Sequence, residues 1–388
     1  MTAIAKLHPE LAATPPMGWN SWNCFGCNIN ERMLWEMADA LVDSGMKDAG
    51  YEYLVIDDAW MAMRRDDDGN LMPDPDRFPR GIKAFADHVH GKGLKLGIYE
   101  DAGEETCGHY PGSLGHYQQD AMLFASWGVD YLKFDWCTCE KLNAPRLYGE
   151  MREALLGIER PMVFSICEWG QNRPWEWAPA IGHLWRTTWD ITDKWDFVGD
   201  GEGKWGGLGI VNILDQQIGL KRYAGPGRWN DPDMLEVGNG GMTETEYRSH
   251  FSLWCILAAP LIAGNDLRKM DAASRQILTN REVIAVDQDS AGIQGRRVKK
   301  EGDQEIWAKP LHDGGVAVVL FNRGQSPANI VCDWRAIGLG TGTAEVRDLW
   351  AGRDLGCVAE GYIGRVPVHG VMMLKVSSIW RPRQWFCL

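Results

Sequence analysis

Up to about residue 290, the chain alternates short runs of β-branched and aromatic residues with longer segments whose apolar residues recur at helical spacing. After Asn30, a good helix N-cap, Leu34, Met37 and Leu41 fall on one helical face, and an apolar strand is predicted over residues 51–57. The same alternation of strand and helix patterns repeats along this part of the chain. It predicts an α/β fold with a parallel sheet covered by helices.

Eight strands are predicted in this region, and most carry polar or aromatic residues at their ends. Two of them are the opening segment 17–22 and the late segment 261–265. The other six end at Asp57, Tyr99, Asp135, Glu168, Asp190 and Asp233. A closed (β/α)8 barrel requires eight parallel strands, and such barrels carry their active sites at the carboxyl ends of the strands. We therefore predict a TIM barrel over residues 1–290 with a site built from these strand ends.

From about residue 293 the pattern changes to short alternating strands separated by Gly and Asp turns, such as Asp313-Gly314-Gly315. Strands are predicted at residues 305–308, 316–321, 328–333 and 372–376, with no convincing helical pattern between them. We therefore expect a second domain over residues 291–388, a small antiparallel β-sandwich packed on the barrel.

Composition and charge exclude several partners. The chain has 40 Lys and Arg residues and 53 Asp and Glu residues, a net charge of −13. Because this charge repels a phosphate backbone, we expect no nucleic acid partner. The longest apolar stretch, 251–264, is interrupted by Pro260 and is too short to cross a bilayer. The start of the chain lacks an apolar signal region, which favours a cytoplasmic location. The protein could form a homo-oligomer, since the sequence does not determine its oligomeric state. The 20 tryptophans suggest surfaces for sugar rings, although Trp also fills cores.

The segment LKFDWC at 132–137 places two opposite charges two positions apart on a predicted strand. Because side chains alternate along a strand, Lys133 and Asp135 share one face, which in a barrel is the interior. A neighbouring cation favours the ionised form of a carboxyl group, so Asp135 is suited to act as a nucleophile. The alternative is a buried salt bridge with no catalytic role.

Two strands later, Arg186 and Asp190 share a face if the strand stays extended. Asp190 is then a second carboxyl group at the same end of the barrel, unless the two residues only form an ion pair that closes the strand. Glycoside hydrolysis needs two such groups, one ionised and one able to carry a proton. The adjacent Asp57 and Asp58 can both reach a ligand where their strand turns into a loop, and they suit a polyol; the alternative is a helix N-cap beside a solvated Asp.

Seven segments of the chain form an ordered set of motifs. They are TPPMGWNSW (14–22), IDDAW (56–60), LKLGIY (94–99), LKFD (132–135), CEW (167–169), WRTTWD (185–190) and WNDPDM (229–234). In content and order they resemble glycoside hydrolase family 27, which contains α-galactosidases and α-N-acetylgalactosaminidases. The resemblance covers nearly the whole chain. It implies a retaining α-galactosidase that releases terminal α-linked D-galactose from oligosaccharides or glycosides, with no metal or other cofactor.

The resemblance also implies a role for individual residues. Asp135 matches the nucleophile of the family and Asp190 its acid/base. The implied substrate-binding residues are Asp57 and Asp58 at O6 and O4 of galactose, Lys133 and Arg186 at ring hydroxyls, Trp22, Tyr99 and Met234 in the pocket, and Cys167, Glu168 and Trp169 near O2. Family members that accept N-acetylgalactosamine have a small residue in place of Glu168, so Glu168 favours galactose.

Two cysteines, Cys107 and Cys137, match a disulfide of that family. A rival interpretation is a Cys₃His zinc site formed by segments 107–109 and 137–139, although their spacing is unlike that of the usual zinc knuckle. The stretch 201–206 formally matches a dinucleotide fingerprint, but no strand precedes it, and we interpret it as a loop.

The sequence is also compatible with three other functions. One is an α-N-acetylgalactosaminidase of the same family. Another is a β-L-arabinopyranosidase, whose sugar has the shape of galactose without the hydroxymethyl group; a residue bulkier than Asp57 is then expected. The third is a non-catalytic sugar-binding protein, which has no reason to keep Lys133, Asp135, Arg186 and Asp190 together.

Overall fold

The computed structural model describes residues 7–139, 141–199 and 207–379, so the glycine-rich stretch 201–206 lies outside the described residues. The first ten strands are β1 (Met17–Asn20), β2 (Tyr53–Ile56), β3 (Lys95–Asp101), β4 (Tyr131–Asp135), β5 (Val163–Ile166), β6 (Leu184–Arg186), β7 (Asp190–Ile191), β8 (Gly207–Leu208), β9 (Trp229–Asp231) and β10 (Leu261–Ala263). The α-helices are α1 (Trp22–Phe25), α2 (Glu31–Asp43), α3 (Met46–Ala49), α4 (Gly81–Gly91), α5 (Tyr117–Trp127), α6 (Ala144–Leu156), α7 (Ile210–Gln216), α8 (Glu244–Leu257), α9 (Ala272–Leu278) and α10 (Arg281–Asp287).

Eight of these strands form one parallel sheet in the order β10, β1, β2, β3, β4, β5, β6, β9. Between the two ends of this order, Leu235 forms a parallel bridge to Ala263. Its N–H donates to the carbonyl of Ile262 at 2.8 Å, and its own carbonyl accepts from the N–H of Gly264 at 3.1 Å. This bridge closes the ring, so the predicted (β/α)8 barrel is confirmed. The short strands β7 and β8 pair with each other beside it.

The helices begin where the sequence signals predict. The Asn30 side chain accepts from the backbone N–H of Met33 at the start of α2. Thr243 and Glu246 form a reciprocal capping box at the start of α8. On α2, Leu34 and Leu41 are fully buried in the large hydrophobic core, as their spacing predicts.

Side chains alternate between the two faces of each barrel strand. On β2, Leu54 and Ile56 join the large core between strands and helices. Tyr53 and Val55 instead join an inner cluster that fills the lower part of the barrel. The next inward position is Asp57, directly after the strand. The barrel is therefore apolar at its floor and charged at its mouth.

The remaining strands are β11 (Arg296–Glu301), β12 (Gln304–Pro310), β13 (Val316–Asn322), β14 (Ala328–Asp333), β15 (Thr343–Asp348), β16 (Arg353–Ala359), β17 (Gly361–Val366) and β18 (Val371–Ser378). Six form an antiparallel sheet in the order β11, β12, β13, β18, β15, β16, and β14 pairs with β17. A separate core, including Val318, Leu320 and Ile330, lies between the two sheets. The predicted C-terminal β-sandwich is confirmed.

This β domain packs against α8 of the barrel. Ser249 Oγ donates to the carbonyl of His369 at 2.6 Å, and Trp350 Nε1 donates to Ser252 Oγ at 2.9 Å. Buried Lys309 on β12 reaches the carbonyl groups of Val286 and Asp287 near the end of α10. The contact is therefore both polar and well packed. No helix in the described ranges combines the length and hydropathy needed to cross a bilayer.

Cys107 and Cys137 form a disulfide that joins the loops after β3 and β4. The pairing implied by the family resemblance is therefore confirmed. The bond also removes two of the ligands that the zinc interpretation requires, since a disulfide sulfur is not a thiolate ligand.

We predict that the double substitution Cys107→Ser/Cys137→Ser lowers the free energy of unfolding of the barrel. The disulfide closes a loop with a sequence separation of 30, and in the chain-entropy account such a bond contributes about 3–4 kcal/mol. Urea unfolding followed by Trp fluorescence measures the change. Cys357→Ser, which removes an exposed free thiol, is the matched control and should leave stability unchanged. Equal stability of the two variants would contradict the prediction.

Candidate active site

A cavity of about 360 Å³ opens at the carboxyl ends of the barrel strands. Ten of the twelve residues predicted for the site line it, namely Trp22, Asp57, Asp58, Tyr99, Lys133, Asp135, Trp169, Arg186, Asp190 and Met234. Asn23, Cys107 and Asp233 line it as well. The cavity therefore holds five carboxyl groups and two basic groups.

Strand β4 supplies two of these charges. Tyr131 belongs to the inner apolar cluster at the barrel floor. Lys133 and Asp135 follow at intervals of two, so their side chains also point inward and reach the cavity. The outward residue Phe134 packs among Tyr117, Tyr148 and other rings under the helices. The alternation that predicted a shared face for Lys133 and Asp135 holds in the structure.

Lys133 bonds to a different carboxylate from the one that the sequence suggests. Its Nζ lies 2.8 Å from Asp57 Oδ2 and 5.1 Å from the centroid of the Tyr99 ring. Asn20 Nδ2 donates to the same Asp57 oxygen at 2.7 Å. Lys133 therefore does form a buried salt bridge, as the alternative interpretation expects. Its partner in that salt bridge is Asp57, however, and the two side chains lie in the wall of the cavity.

Asp135 is only 5% exposed, and its environment corrects one expectation. Its pKa is raised to about 7, chiefly by burial; Lys133 lowers the pKa, and the charges of Asp190 and Asp57 contribute to raising it. Lys133 alone therefore does not keep the free carboxyl group fully ionised, because it is already bound to Asp57 and the desolvation of Asp135 is the larger effect. The carboxylate accepts one backbone hydrogen bond, from the N–H of Trp136 at 2.9 Å.

Asp190 enters the cavity through a turn. The extended strand that was expected from Arg186 to Asp190 is wrong, since β6 ends at Arg186 and Asp190 begins β7. The two side chains still meet, and Arg186 Nη2 lies 2.9 Å from both Asp190 Oδ1 and Asp233 Oδ2. The Asp190 side chain remains 28% exposed. Burial raises its pKa, Arg186 lowers it, and Asp233 raises it.

The pair Asp57 and Asp58 follows the end of β2, where the chain turns through Ala59 in the left-handed region at φ +71°. Both side chains are almost completely buried, so the alternative of an N-cap beside a solvated Asp is wrong. The N–H groups of Gly108 and Ala59 donate to Asp58 at 2.7 and 2.6 Å. A Cβ at position 108 would lie 2.9 Å from Asp58 Oδ2, so glycine permits this approach.

Tyr99 and Trp169 form part of the wall. The Tyr99 hydroxyl is buried and has no hydrogen-bond partner among the described residues, although the ring lines the cavity. Such a group is suited to bind a ligand hydroxyl, because an unsatisfied buried hydroxyl is otherwise costly. Trp169 stacks on Trp189 with ring centroids 5.2 Å apart.

Two predicted residues, Cys167 and Glu168, do not line this cavity. Cys167 lies below it in the barrel interior, where its sulfur accepts from Arg186 Nη1 at 3.7 Å. Glu168 is fully buried, and its carboxylate accepts from the backbone N–H and the Nδ2 of Asn172 at 2.7 and 2.9 Å. Burial raises the pKa of Glu168 to about 7. The alternation of side chains on β5 accounts for the difference, since adjacent residues point to opposite faces.

Sequence reasoning missed Asp233 as a site residue, although it recognised the polar end of this strand. Asp233 adopts φ +81°, which is uncommon for a residue with a side chain. Its carboxylate accepts from the N–H groups of Ile191 and Met234, both at 2.8 Å, and binds Arg186. It therefore ties the loop after β9 to β7 and to the cation that contacts Asp190.

A further buried carboxyl group, Glu236, lies beside the cavity and was also missed. It is 3% exposed and accepts from Nδ2 of Asn23 and Nδ2 of Asn239. Burial raises its pKa to about 8, the two amides lower it, and Asp193 and Asp233 raise it. No pattern in the sequence identifies Glu236, because it belongs to none of the motifs that predict a charged site.

We predict that Glu236 makes the free energy of unfolding depend on pH. An unfolded Glu has a pKa of about 4.3, whereas the folded value is about 8. The folded state therefore binds the proton more tightly, and the contribution of Glu236 to stability is lost as pH rises through this interval. Urea unfolding should show wild type losing stability relative to Glu236→Gln between pH 5 and pH 8.5.

The control for this experiment is Glu345→Gln, which changes an exposed residue on β15. Its difference from wild type should be the same at both pH values. A constant difference between wild type and Glu236→Gln would contradict the prediction.

Comparison with known proteins agrees with this architecture. A family model described as alpha galactosidase A matches residues 14–289, and one described as the alpha galactosidase C-terminal beta sandwich domain matches residues 301–376. An alpha-galactosidase A of Cellvibrio japonicus is 51% identical over 97% of this chain and 95% of its own length. An alpha-N-acetylgalactosaminidase of Gallus gallus is 43% identical, with 92% and 91% covered.

Among solved structures, alpha-galactosidase I of Mortierella vinacea superimposes with a TM-score of 0.91. It is 40% identical, and the match covers 95% of this chain and 98% of that one. Family models, sequence relatives and fold thus agree over both domains. The chain therefore belongs to the alpha-galactosidase A family, glycoside hydrolase family 27.

Proposed function

We propose that this protein is a retaining α-galactosidase that hydrolyses terminal α-linked D-galactose, with Asp135 as nucleophile and Asp190 as acid/base. One observation carries the proposal above the others. Asp135 and Asp190 come from different strands yet line one small cavity, each within reach of a fixed cation system, Lys133 with Asp57 and Arg186 with Asp233. The similarity to alpha-galactosidases of about 50% identity supports the same activity.

The first chemical step forms a galactosyl-enzyme. An oxygen of Asp135 attacks the anomeric carbon while Asp190 donates its proton to the leaving oxygen. The two carboxyl groups repel each other when both are charged, and the Asp190 charge raises the pKa of Asp135. By the same reciprocal interaction, an ionised Asp135 favours a protonated Asp190, which is the combination that this step requires.

The second step releases galactose. Once Asp135 is esterified it no longer carries a negative charge, so the pKa of Asp190 falls and Arg186 stabilises its ionised form. Asp190 then removes a proton from water, and the hydroxide oxygen attacks the anomeric carbon and displaces Asp135. Two displacements at the same carbon retain the α configuration.

The wall of the cavity supplies partners for a galactose ring. Asp57 and Asp58 accept hydrogen bonds from hydroxyl groups, Lys133 donates one, and the unpartnered Tyr99 hydroxyl offers another. Trp22 adds an aromatic surface for the apolar face of the sugar. All of these positions are fixed by buried hydrogen bonds or packing before a ligand binds, so little ordering accompanies binding.

Two other sugars test the shape of this cavity. In this proposal Asp57, held by Lys133 and Asn20, accepts a hydrogen bond from the hydroxymethyl group, which favours galactose over β-L-arabinopyranose. The Glu168 side chain bonds Asn172 and does not line the cavity, so no direct contact with the sugar supports its expected preference for galactose over N-acetylgalactosamine. A non-catalytic sugar-binding protein does not need both Asp135 and Asp190 in one cavity, and the proposal sets that function aside.

We predict that the purified protein hydrolyses 4-nitrophenyl α-galactoside faster than the matching α-N-acetylgalactosaminide and β-L-arabinopyranoside, measured by nitrophenol release. Asp135→Asn should abolish turnover, because an amide is a poor nucleophile and the ester intermediate cannot form. The matched control is Asp87→Asn on the exposed face of α4, which should retain wild-type rates. Normal turnover by Asp135→Asn would contradict the assignment, and turnover of none of the three glycosides would contradict the activity.

We predict that Asp190→Asn changes the pH profile of kcat/KM in a specific way. In wild type, activity should fall at high pH as Asp190 loses its proton, above the ordinary range of Asp because burial raises its pKa. A 2,4-dinitrophenyl leaving group needs no protonation, so with that substrate the variant should lose the alkaline limb and keep the acid limb. With an alkyl galactoside its rate should drop by about 10²–10⁴-fold. An unchanged alkaline limb in the variant would show that another group is the acid.

A further inference from the structure

The barrel interior contains a second chamber, of about 390 Å³, beneath the catalytic cavity. We call it the lower chamber. Lys133, Arg186 and Asp233 line both spaces. Asp231, the last residue of β9, lies in the wall of the lower chamber and outside the lining of the catalytic cavity, and it is 9% exposed. The proposed reaction gives this buried carboxyl group no role.

Asp231 lies beside Arg186 in the barrel wall. The strands β6 and β9 are parallel neighbours, and Arg186 and Asp231 are partners in their register. The backbones of such strands lie about 4.8 Å apart, and paired residues point to the same face of the sheet. The carbonyl group of Asp231 also accepts from the backbone N–H of Thr187 at 2.9 Å, next to Arg186. Both side chains therefore enter the lower chamber from adjacent positions.

The Asp231 carboxyl group has one of its two oxygens engaged. Its Oδ1 accepts from the backbone N–H of Asp233 at 2.8 Å. Its Oδ2 accepts no hydrogen bond from the residues that the structure describes. Arg186, whose side chain is 5% exposed, has a buried Nε with no acceptor in the same described part of the chain. Neighbouring strands thus bring an acceptor without a donor and a donor without an acceptor to one chamber.

The cation next to Asp190 opposes the role that the reaction gives this residue. Asp190 must hold a proton when the reaction starts, but Arg186 Nη2 lies 2.9 Å from Asp190 Oδ1, and a cation favours the ionised form of a carboxyl group. Anions that neutralise the guanidinium weaken this effect. Asp233, 2.9 Å from the same nitrogen, is one of them. Asp231 is another, since it also interacts electrostatically with Arg186.

The charge of Asp231 is present in the pH range where it matters. Burial raises the pKa of Asp231 to about 6, Arg186 lowers it, and Asp233 raises it, so Asp231 is ionised above about pH 6. The titratable or charged side chains that line the lower chamber with Asp231 are Tyr131 and Lys133 of β4, Cys167 after β5, Arg186 of β6 and Asp233 after β9. Those that act on Asp190 are Arg186, Asp233, Lys133 and Asp135.

We propose that Asp231 is a positioning residue for the acid/base: its negative charge offsets part of the Arg186 charge from the lower chamber and thereby keeps Asp190 protonated when the reaction starts. In this proposal Asp231 contacts neither the sugar nor the reacting atoms. The inference rests on the proposed function, since it concerns Asp190 as the acid. The alternative is a purely structural role, in which Asp231 only holds the turn at Asp233.

The first test is the pH profile of kcat/KM for Asp231→Asn with methyl α-galactoside, whose leaving group needs protonation. Asn keeps an oxygen that accepts from the N–H of Asp233 but carries no charge. Loss of the negative charge beside Arg186 lowers the pKa of Asp190, so the midpoint of the alkaline limb should move to lower pH by about 0.5–1 unit. Above the wild-type midpoint, this shift corresponds to about a 3- to 10-fold lower kcat/KM. Asp87→Asn, on the exposed face of α4, is the control and should keep the wild-type midpoint.

A second comparison covers the case in which Asp231→Asn does not fold. Asp231→Glu and Asp231→Gln have side chains of nearly the same shape that differ in charge, so any distortion of the turn at Asp233 is common to both. Circular dichroism checks that each variant is folded. The alkaline midpoint of Asp231→Gln should lie about 0.5–1 unit below that of Asp231→Glu.

The outcomes separate the charge of Asp231 from its structural role. Equal alkaline midpoints within either pair overturn the proposal, even if kcat/KM is lower at every pH, because a uniform loss is the mark of a structural role. A shift to higher pH on removal of the charge overturns it as well.

Failure of the inference is distinguishable from failure of the proposed function. If wild type hydrolyses no α-galactoside, the proposed function fails and the role of Asp231 fails with it. If wild type is active and Asp190→Asn loses the alkaline limb with the dinitrophenyl substrate, while Asp231→Asn keeps the wild-type midpoint, only the role of Asp231 is overturned.

Discussion

The site depends on an excess of buried carboxyl groups over cations. Among the described residues, five carboxyl groups line the cavity together with only two basic groups, Lys133 and Arg186. Taking an uncompensated charge out of water is so unfavourable that breaking a buried pair costs about 3–5 kcal/mol. Asp57 is compensated by Lys133, Asp233 by Arg186, and Asp58 by two backbone N–H groups. Asp135 has one backbone N–H, and Asp190 shares the Arg186 guanidinium with Asp233.

This shortage has a chemical consequence. Burial raises the pKa of both Asp135 and Asp190, so the pair readily holds one proton between them. A nucleophile next to a proton donor is the state from which glycoside hydrolysis starts. Glu236, beside the cavity, repeats this principle, since burial raises its pKa while it accepts hydrogen bonds from the amides of Asn23 and Asn239.

The sequence predicts most of the barrel, because hydrophobic alternation identifies its strands and short capping motifs identify its helices. The inward positions of Lys133 and Asp135 follow from a period of two on β4. The alternation of side chains holds only while the backbone is extended, so it does not predict the positions of residues in turns. Examples are the turn that brings Asp190 to Arg186 and the left-handed conformation of Asp233. Long-range partners such as Asp57 for Lys133 carry no local signal in the chain.

Other features were missed for similar reasons. The strands β11 and β16 are mostly exposed, and β11 is almost entirely charged, so neither shows the alternation of apolar and polar residues that marked their neighbours. Glu168 was assigned by resemblance to the sugar site, but its side chain points to the opposite face from Cys167 and bonds Asn172. The cytoplasmic location that the sequence favours stays a prediction.

The central claim is that Asp135 becomes covalently bound to the sugar. The most direct measurement is trapping with a 2-deoxy-2-fluoro α-galactosyl fluoride, whose fluorine slows the second displacement, followed by peptide mass spectrometry. The account predicts one equivalent of label per chain, attached to the peptide that contains Asp135, with loss of activity in proportion to labelling. Label on another carboxyl group, or inactivation with no covalent adduct, would contradict it.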